Sequence, residues 1–327
     1  MQTLLGLHTI SLASGLSVDR TFTYSHTYDV RVTRTAGYKD RAPRWAKGLA
    51  NVSTRAYGLS TAPLRPSPDY LIIGGKRGGT TSLHNYLLCH PGVLGLFPQV
   101  RGKKSTDFFF ASTHRGDAWY RSHFHTRPYR NLMHHRLGYR PLGGEASPYY
   151  VWDPRLAPLI RKSAPDVKAI LLLRDPVERA WSHYWERRMN GVEPLSFLDA
   201  LDAEDDRTAG ELDRMLADPG YHSDAYDFYT YRQRGLYLPQ IENWLASFPA
   251  EQLLITVSEE MYADPQGAFD RVCAFLGLPT SELGPQKQYN SSSDGGMDAA
   301  ARDRLSTFFA GPNAELEAFL GRSLNWS

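Results

Sequence analysis

From residue 69 onward, short apolar runs alternate with longer amphipathic stretches. Tyr70–Ile73, Lys168–Leu173 and Gln252–Val257 are brief runs dominated by apolar residues. That is the pattern of parallel strands covered on both faces. Thr81–Cys89, Val177–Met189, Leu236–Phe248, Pro265–Leu276 and Ala299–Phe309 carry apolar residues at helical spacing,. Strands separated by helices predict a parallel sheet wrapped by helices. No internal repeat is visible.

Residues 1–68 lack this pattern. They hold nine Lys/Arg against three Asp, a net of +6, so the remaining 28 basic and 32 acidic residues give −4. Pro63, Pro66 and Pro68 close the segment like a linker, and a short amphipathic helix is expected around Trp45–Tyr57. We read 1–68 as a basic extension, poorly ordered in part, whose alternative role is an arm that docks on an acidic partner or a membrane surface, and 69–327 as the folded domain. The whole chain of 327 residues is 42% hydrophobic with a net charge of +2, which excludes a dedicated nucleic-acid binder. Cys89 and Cys273 are far apart and lack metal-ligand spacing, so neither a zinc site nor a disulfide scaffold is expected,. No apolar run approaches the length of a membrane span, and the first residues do not read as a signal peptide,. A cytoplasmic location is expected.

The first strand runs into Gly74-Gly-Lys-Arg-Gly-Gly-Thr-Thr-Ser82. A strand, a glycine-rich turn and a helix start aim backbone N–H groups at one point, which suits a phosphate. A Walker A loop would place Lys-Thr/Ser after the last glycine. Here Thr80 and Thr81 stand there, and the cations Lys76 and Arg77 lie inside the loop. The bland role of Thr80, Thr81 and Ser82 is helix capping. The second strand ends in Arg174-Asp-Pro-Val-Glu-Arg-Ala-Trp-Ser182. Arg174 therefore emerges where open α/β sheets bind ligands. It either forks onto a phosphate or pairs with Asp175 or Glu178. Together these features define the fold class as α/β, a P-loop-like domain with a central parallel sheet flanked by helices on both faces.

Taken together, the loop and Leu171-Leu-Leu-Arg-Asp-Pro-Val-Glu-Arg-Ala-Trp-Ser-His-Tyr184 resemble the two nucleotide motifs of PAPS-dependent sulfotransferases, of the heparan-sulfate-type and bacterial carbohydrate-type branches. Supporting matches are Trp119–Phe124, Gly144–Tyr149, Phe248–Leu254, Phe275–Pro279 and Leu320–Arg322 with Trp326, so the resemblance covers about residues 69–326. It implies that Gly78, Gly79, Thr80, Thr81 and Ser82 hold the 5′-phosphosulfate of PAPS, and that Arg174 and Ser182 hold its 3′-phosphate. Lys287–Ser292, with Asn290 and Ser291, would close over the nucleotide. The resemblance implies PAPS as co-substrate, no metal, and a small-molecule or glycan acceptor.

Two departures stand out. The family's catalytic lysine falls on Arg77, with Lys76 one place before it. Arginine supplies charge but stays protonated. Relatives carry a Lys-Glu-x-His-Phe-Phe-like segment, and the Glu and His positions are Ser105 and Asp107 here. Asp107 is then the candidate base, with Glu145 as the alternative. The resulting reading is in-line transfer of a sulfonate from PAPS to a hydroxyl, less readily an amine. The competing readings are a Mg-ATP-dependent P-loop kinase and a non-catalytic nucleotide-binding relative.

Overall fold

The computed structural model describes residues 44–98, 103–285 and 296–326. Its sheet has five parallel strands: β1 (Tyr70–Gly74), β2 (Val93–Leu94), β3 (Leu142–Ala146), β4 (Lys168–Leu173) and β5 (Leu253–Val257). They lie in the order β2-β3-β1-β4-β5. Tyr70 is in register with Gly144 on one side and Lys168 on the other. The longer helices are α1 (Arg44–Ser60), α2 (Thr80–Cys89), α3 (Arg127–Leu137), α4 (Pro176–Met189), α5 (Tyr237–Leu245), α6 (Pro265–Leu276) and α7 (Ala299–Leu320).

Alternation along the central strands divides the interior into two layers. Leu71, Ile73, Leu171 and Leu173 face a core that includes Ile241 and Trp244 of α5. Tyr70, Ile72, Ile170 and Leu172 face another with Leu83 and Leu87 of α2 and Phe269 and Val272 of α6. The apolar faces of α4 and α7 meet in a third cluster through Val177, Ala180, Leu305 and Phe309.

Sequence periodicity misses two strands. β3 reads Leu-Gly-Gly-Glu-Ala and has no apolar run. Gly144 is required because a Cβ there would collide with the backbone and ring of Tyr70 on β1. The last helix also outruns its expected end. Gly311-Pro312 reads as a stop, yet α7 continues to Leu320 and buries Leu316 in the first core. Within the tyrosine-rich stretch 221–237, Tyr226, Tyr231 and Tyr237 are buried, so core packing absorbs them. N-terminal to Asp69 the chain packs on the domain at Arg55, Gly58 and Arg65. Arg55 donates to Ser122 Oγ at 2.6 Å, and Arg65 is buried against Phe124 O and the Phe97 ring. Residues 1–43 lie outside the described residues.

Candidate active site

Because all strands are parallel, their C-terminal ends share one edge. The glycine loop leaves β1 there, Ser147 follows β3, Arg174 follows β4 and Ser258 follows β5. The loop is tied down by its backbone. Gly75 N–H donates to Leu172 O at 2.7 Å, and Gly78 N–H to Gly75 O at 2.9 Å. Ser258 Oγ lies between Gly78 O and Leu173 O. A Cβ on Gly78 would sit 2.9 Å from Leu172 O, so only glycine lets the turn pass this close to β4. Gly79 has φ +87° and ends the turn in the left-handed region,. It is also the N-cap of α2, and no side chain caps that helix. The first N–H groups of an α-helix have no partner within the helix.

Lys104 supplies the charge at that helix start. Its Nζ donates to Thr80 Oγ1 at 3.1 Å and to Thr81 Oγ1 at 2.9 Å. Burial lowers its pKa to about 8, with Asp107 and Glu186 opposing the shift. The segment carrying Lys104 is held to the end of β3 by three contacts. Ala146 N–H donates to Lys104 O at 2.8 Å, Thr106 N–H to Glu145 Oε2 at 2.5 Å, and Ser147 Oγ to Asp107 Oδ1 at 2.8 Å. Glu145 is fully buried, and its Oε1 accepts from Tyr120 Oη at 3.0 Å and Tyr150 Oη at 2.8 Å. Burial pushes its pKa up. The structure therefore encloses Glu145 and leaves no oxygen of it facing the loop edge. Asp107 is half-buried with φ +49°, and Ser105 Oγ joins Ser147 on the same Oδ1 at 2.7 Å. Asp tolerates this left-handed conformation better than most residues.

The two loop cations take different directions. Arg77, with φ +69°, donates from Nε to Ser182 Oγ at 2.9 Å and approaches Glu186 to 3.8 Å. Arg174 donates to Arg77 O at 3.1 Å. Arg77, Arg174 and Ser182 are thus brought together although they lie far apart in sequence. Lys76 instead turns into the protein, 3.8 Å from Asp227 and 4.0 Å from Glu186, beneath the Tyr149 ring. Burial lowers its pKa to about 7, with Asp227 opposing. Despite burial, Lys76, Arg77 and Arg187 hold Glu186 below the usual carboxylate range. Ser82 is also turned inward, its Oγ 3.1 Å from Tyr262 Oη. Asn290 and Ser291 lie outside the described residues.

A phosphate-bearing nucleotide fits this edge. The glycine cradle admits close approach, the α2 N-terminus offers uncapped N–H groups, and Lys104 and Arg174 flank it with positive charge. Lys104 stands at the lysine of the Lys-Glu-x-His-Phe-Phe-like segment, yet the sequence gives it no role. Only the strand-end contacts carry it to Thr80 and Thr81.

Comparison with known proteins agrees with the geometry. The model of the sulfotransferase domain matches residues 67–294. This chain belongs to the sulfotransferase family. The sulfotransferase is 26% identical to the membrane-associated sulfotransferase kil1 of Dictyostelium discoideum, over 88% of this chain and 72% of that one. It is 33% identical to mouse heparan sulfate glucosamine 3-O-sulfotransferase 3B1 over 67% of this chain, which spans about half (48%) of that relative's length. A crystal structure of a sulfotransferase from Alicyclobacillus acidocaldarius is 29% identical, with a TM-score of 0.56 over 79% of this chain and 97% of that one. Membership and fold set aside the kinase alternative. Among the described residues, no helix of the sulfotransferase is long and apolar enough to cross a membrane.

Proposed function

We propose that this sulfotransferase moves a sulfonate from PAPS to a hydroxyl group of a glycan. The observation that carries the reading is the Lys104 ammonium bonded to Thr80 and Thr81 at an uncapped helix N-terminus. Backbone N–H groups of Gly79–Thr81 and the two threonine hydroxyls would hold the 5′-phosphosulfate. Arg174 and Ser182 would hold the 3′-phosphate, with Arg77 bracing Ser182. Lys104 would stabilise charge on the departing bisphosphate. Asp107 would take the acceptor proton, its Oδ1 being held by Ser105 and Ser147. Glu145 positions this segment rather than reacting. By analogy with phosphoryl transfer the transition state is loose, so leaving-group charge outweighs base strength. A glycan acceptor is favoured because the 3-O-sulfotransferase relative is named for one.

Calorimetric titration with adenosine 3′,5′-bisphosphate, 5′-AMP and ATP tests the pocket. Preference for the 3′,5′-bisphosphate without added Mg²⁺ supports it, and preference for Mg-ATP rejects it. Transfer from radiolabelled PAPS to desulfated glycosaminoglycans and to simple alcohols then tests the acceptor. Tight bisphosphate binding with no transfer to any acceptor would favour a non-catalytic relative. Arg174→Ala is expected to weaken bisphosphate binding roughly 10- to 100-fold, the loss of one charge-assisted hydrogen bond. Unchanged affinity would remove Arg174 from the site. Asp107→Asn is expected to lower kcat about 100-fold, the low end for general-base help, with bisphosphate affinity intact. A variant as active as wild type would end the base assignment.

A further inference from the structure

Helix α1 packs with the wrong face inward. A surface helix ordinarily turns its apolar stripe to the core. Here Arg55 and Gly58 face the domain: Arg55 bonds Ser122 and Phe97 O, and a Cβ on Gly58 would lie 3.0 Å from Ser122 O. The apolar stripe, Val52, Ala56 and Leu59, points outward. Val52 is 67% exposed and Leu59 42%. In the sequence the same spacing runs back through Leu49 and Trp45. Further apolar groups of this region are exposed. Ring contacts link exposed Tyr57 to Phe97 (5.9 Å), Phe97 to His125 (5.8 Å) and His125 to exposed Tyr129 (4.8 Å). Leu64 and, on α3, Leu132 (48%) are exposed as well.

Charge on this face is predominantly positive. Residues 44–68 and 125–141 together contain eight Lys/Arg and no Asp/Glu. Arg127, Arg130, His134 and Arg140 line a surface cavity of about 340 Å³. Asp69 engages Arg130 and Arg140, yet the Arg140 side chain stays 72% exposed. Asp69 immediately precedes β1 and Pro141 immediately precedes β3. The cavity therefore sits at the N-terminal end of the sheet, opposite the glycine loop.

We propose that this face docks on an anionic membrane surface, with α1 lying in the interfacial plane and the exposed Arg127 and Arg136 of α3 and Arg140 beyond it on lipid phosphates. An interfacial helix combines an apolar stripe with flanking cations, and anionic leaflets attract such clusters. A second copy meeting the same patch would oppose like charges. A nucleic acid would leave Val52, Leu59 and Leu132 without apolar partners.

Vesicle co-sedimentation of the full chain tests the proposal, comparing phosphatidylcholine alone with phosphatidylcholine containing phosphatidylserine. Binding to the anionic vesicles is expected to be at least about tenfold stronger and to weaken at high salt, as screened charge requires. Val52→Glu/Leu59→Glu is expected to reduce it about tenfold or more with thermal unfolding unchanged, because both side chains are exposed. Arg136→Glu/Arg140→Glu should remove the salt-sensitive part. Equal partitioning to both vesicles, or wild-type binding by the Val52/Leu59 variant, would overturn the proposal. So would a change in oligomeric mass by light scattering that replaces the vesicle effect.

Discussion

Lys104→Met is expected to lower kcat/KM for PAPS by about 10²–10³-fold, the cost of losing one preorganised group aimed at developing charge. Methionine keeps the stem volume and removes the ammonium. Lys104 reaches Thr80 and Thr81 because three bonds fix its segment to the end of β3. Its ammonium must be charged to act. Since burial lowers the pKa to about 8, kcat/KM in the wild type should be flat from neutral pH up to that value and decline above it,. Lys104→Arg keeps the charge at all accessible pH and should abolish that alkaline limb while retaining more activity than the methionine variant. The measurement is the pH dependence of kcat/KM for the three proteins. A Lys104→Met enzyme within a few-fold of wild type would displace Lys104 from the leaving-group role, and a wild-type profile flat through pH 8 to about 10 would place its titration higher.

Glu145→Ala is expected to destabilise the fold by roughly 3–5 kcal/mol. The substitution strands Thr106 N–H, Tyr120 Oη and Tyr150 Oη without their acceptor, and each unsatisfied buried donor costs about 1–3 kcal/mol. Part of that cost is offset because a buried carboxylate is itself unfavourable, as its raised pKa shows,. Activity should fall with stability, since Ser105–Asp107 and Lys104 lose their anchor. Denaturant unfolding of the alanine and glutamine variants separates this from chemistry. A Glu145→Gln enzyme that is as stable as wild type but inactive would make Glu145 the base and Asp107 a bystander.

Much of the fold was legible because burial on both faces leaves a strong local trace. β1, β4 and β5 each stand out as apolar runs, and α2, α4 and α6 as amphipathic stretches. β3 left no such trace. Gly144 lets it lie against Tyr70, and its glutamate binds a segment nearly 40 residues earlier in the chain. Helix α7 ran through Gly311-Pro312 because burial of Leu316 outweighed one missing backbone bond,.

The site divides along the same line. Residue order alone determined the glycine turn, the helix start that follows it and the emergence of Arg174 at a strand end, since each depends on neighbours within a few positions. It also fixed the cationic bias of residues 44–68. Tertiary structure decided which cation meets which partner. Lys76 and Arg77 are adjacent, yet one enters a buried cluster with Asp227 and Glu186 while the other turns to Ser182. Tertiary structure likewise brought Lys104 to the threonines, enclosed Glu145 and turned the polar face of α1 inward. These outcomes rest on contacts between segments distant in sequence. A side chain's direction, burial and charge state follow from those contacts, and no local pattern encodes them.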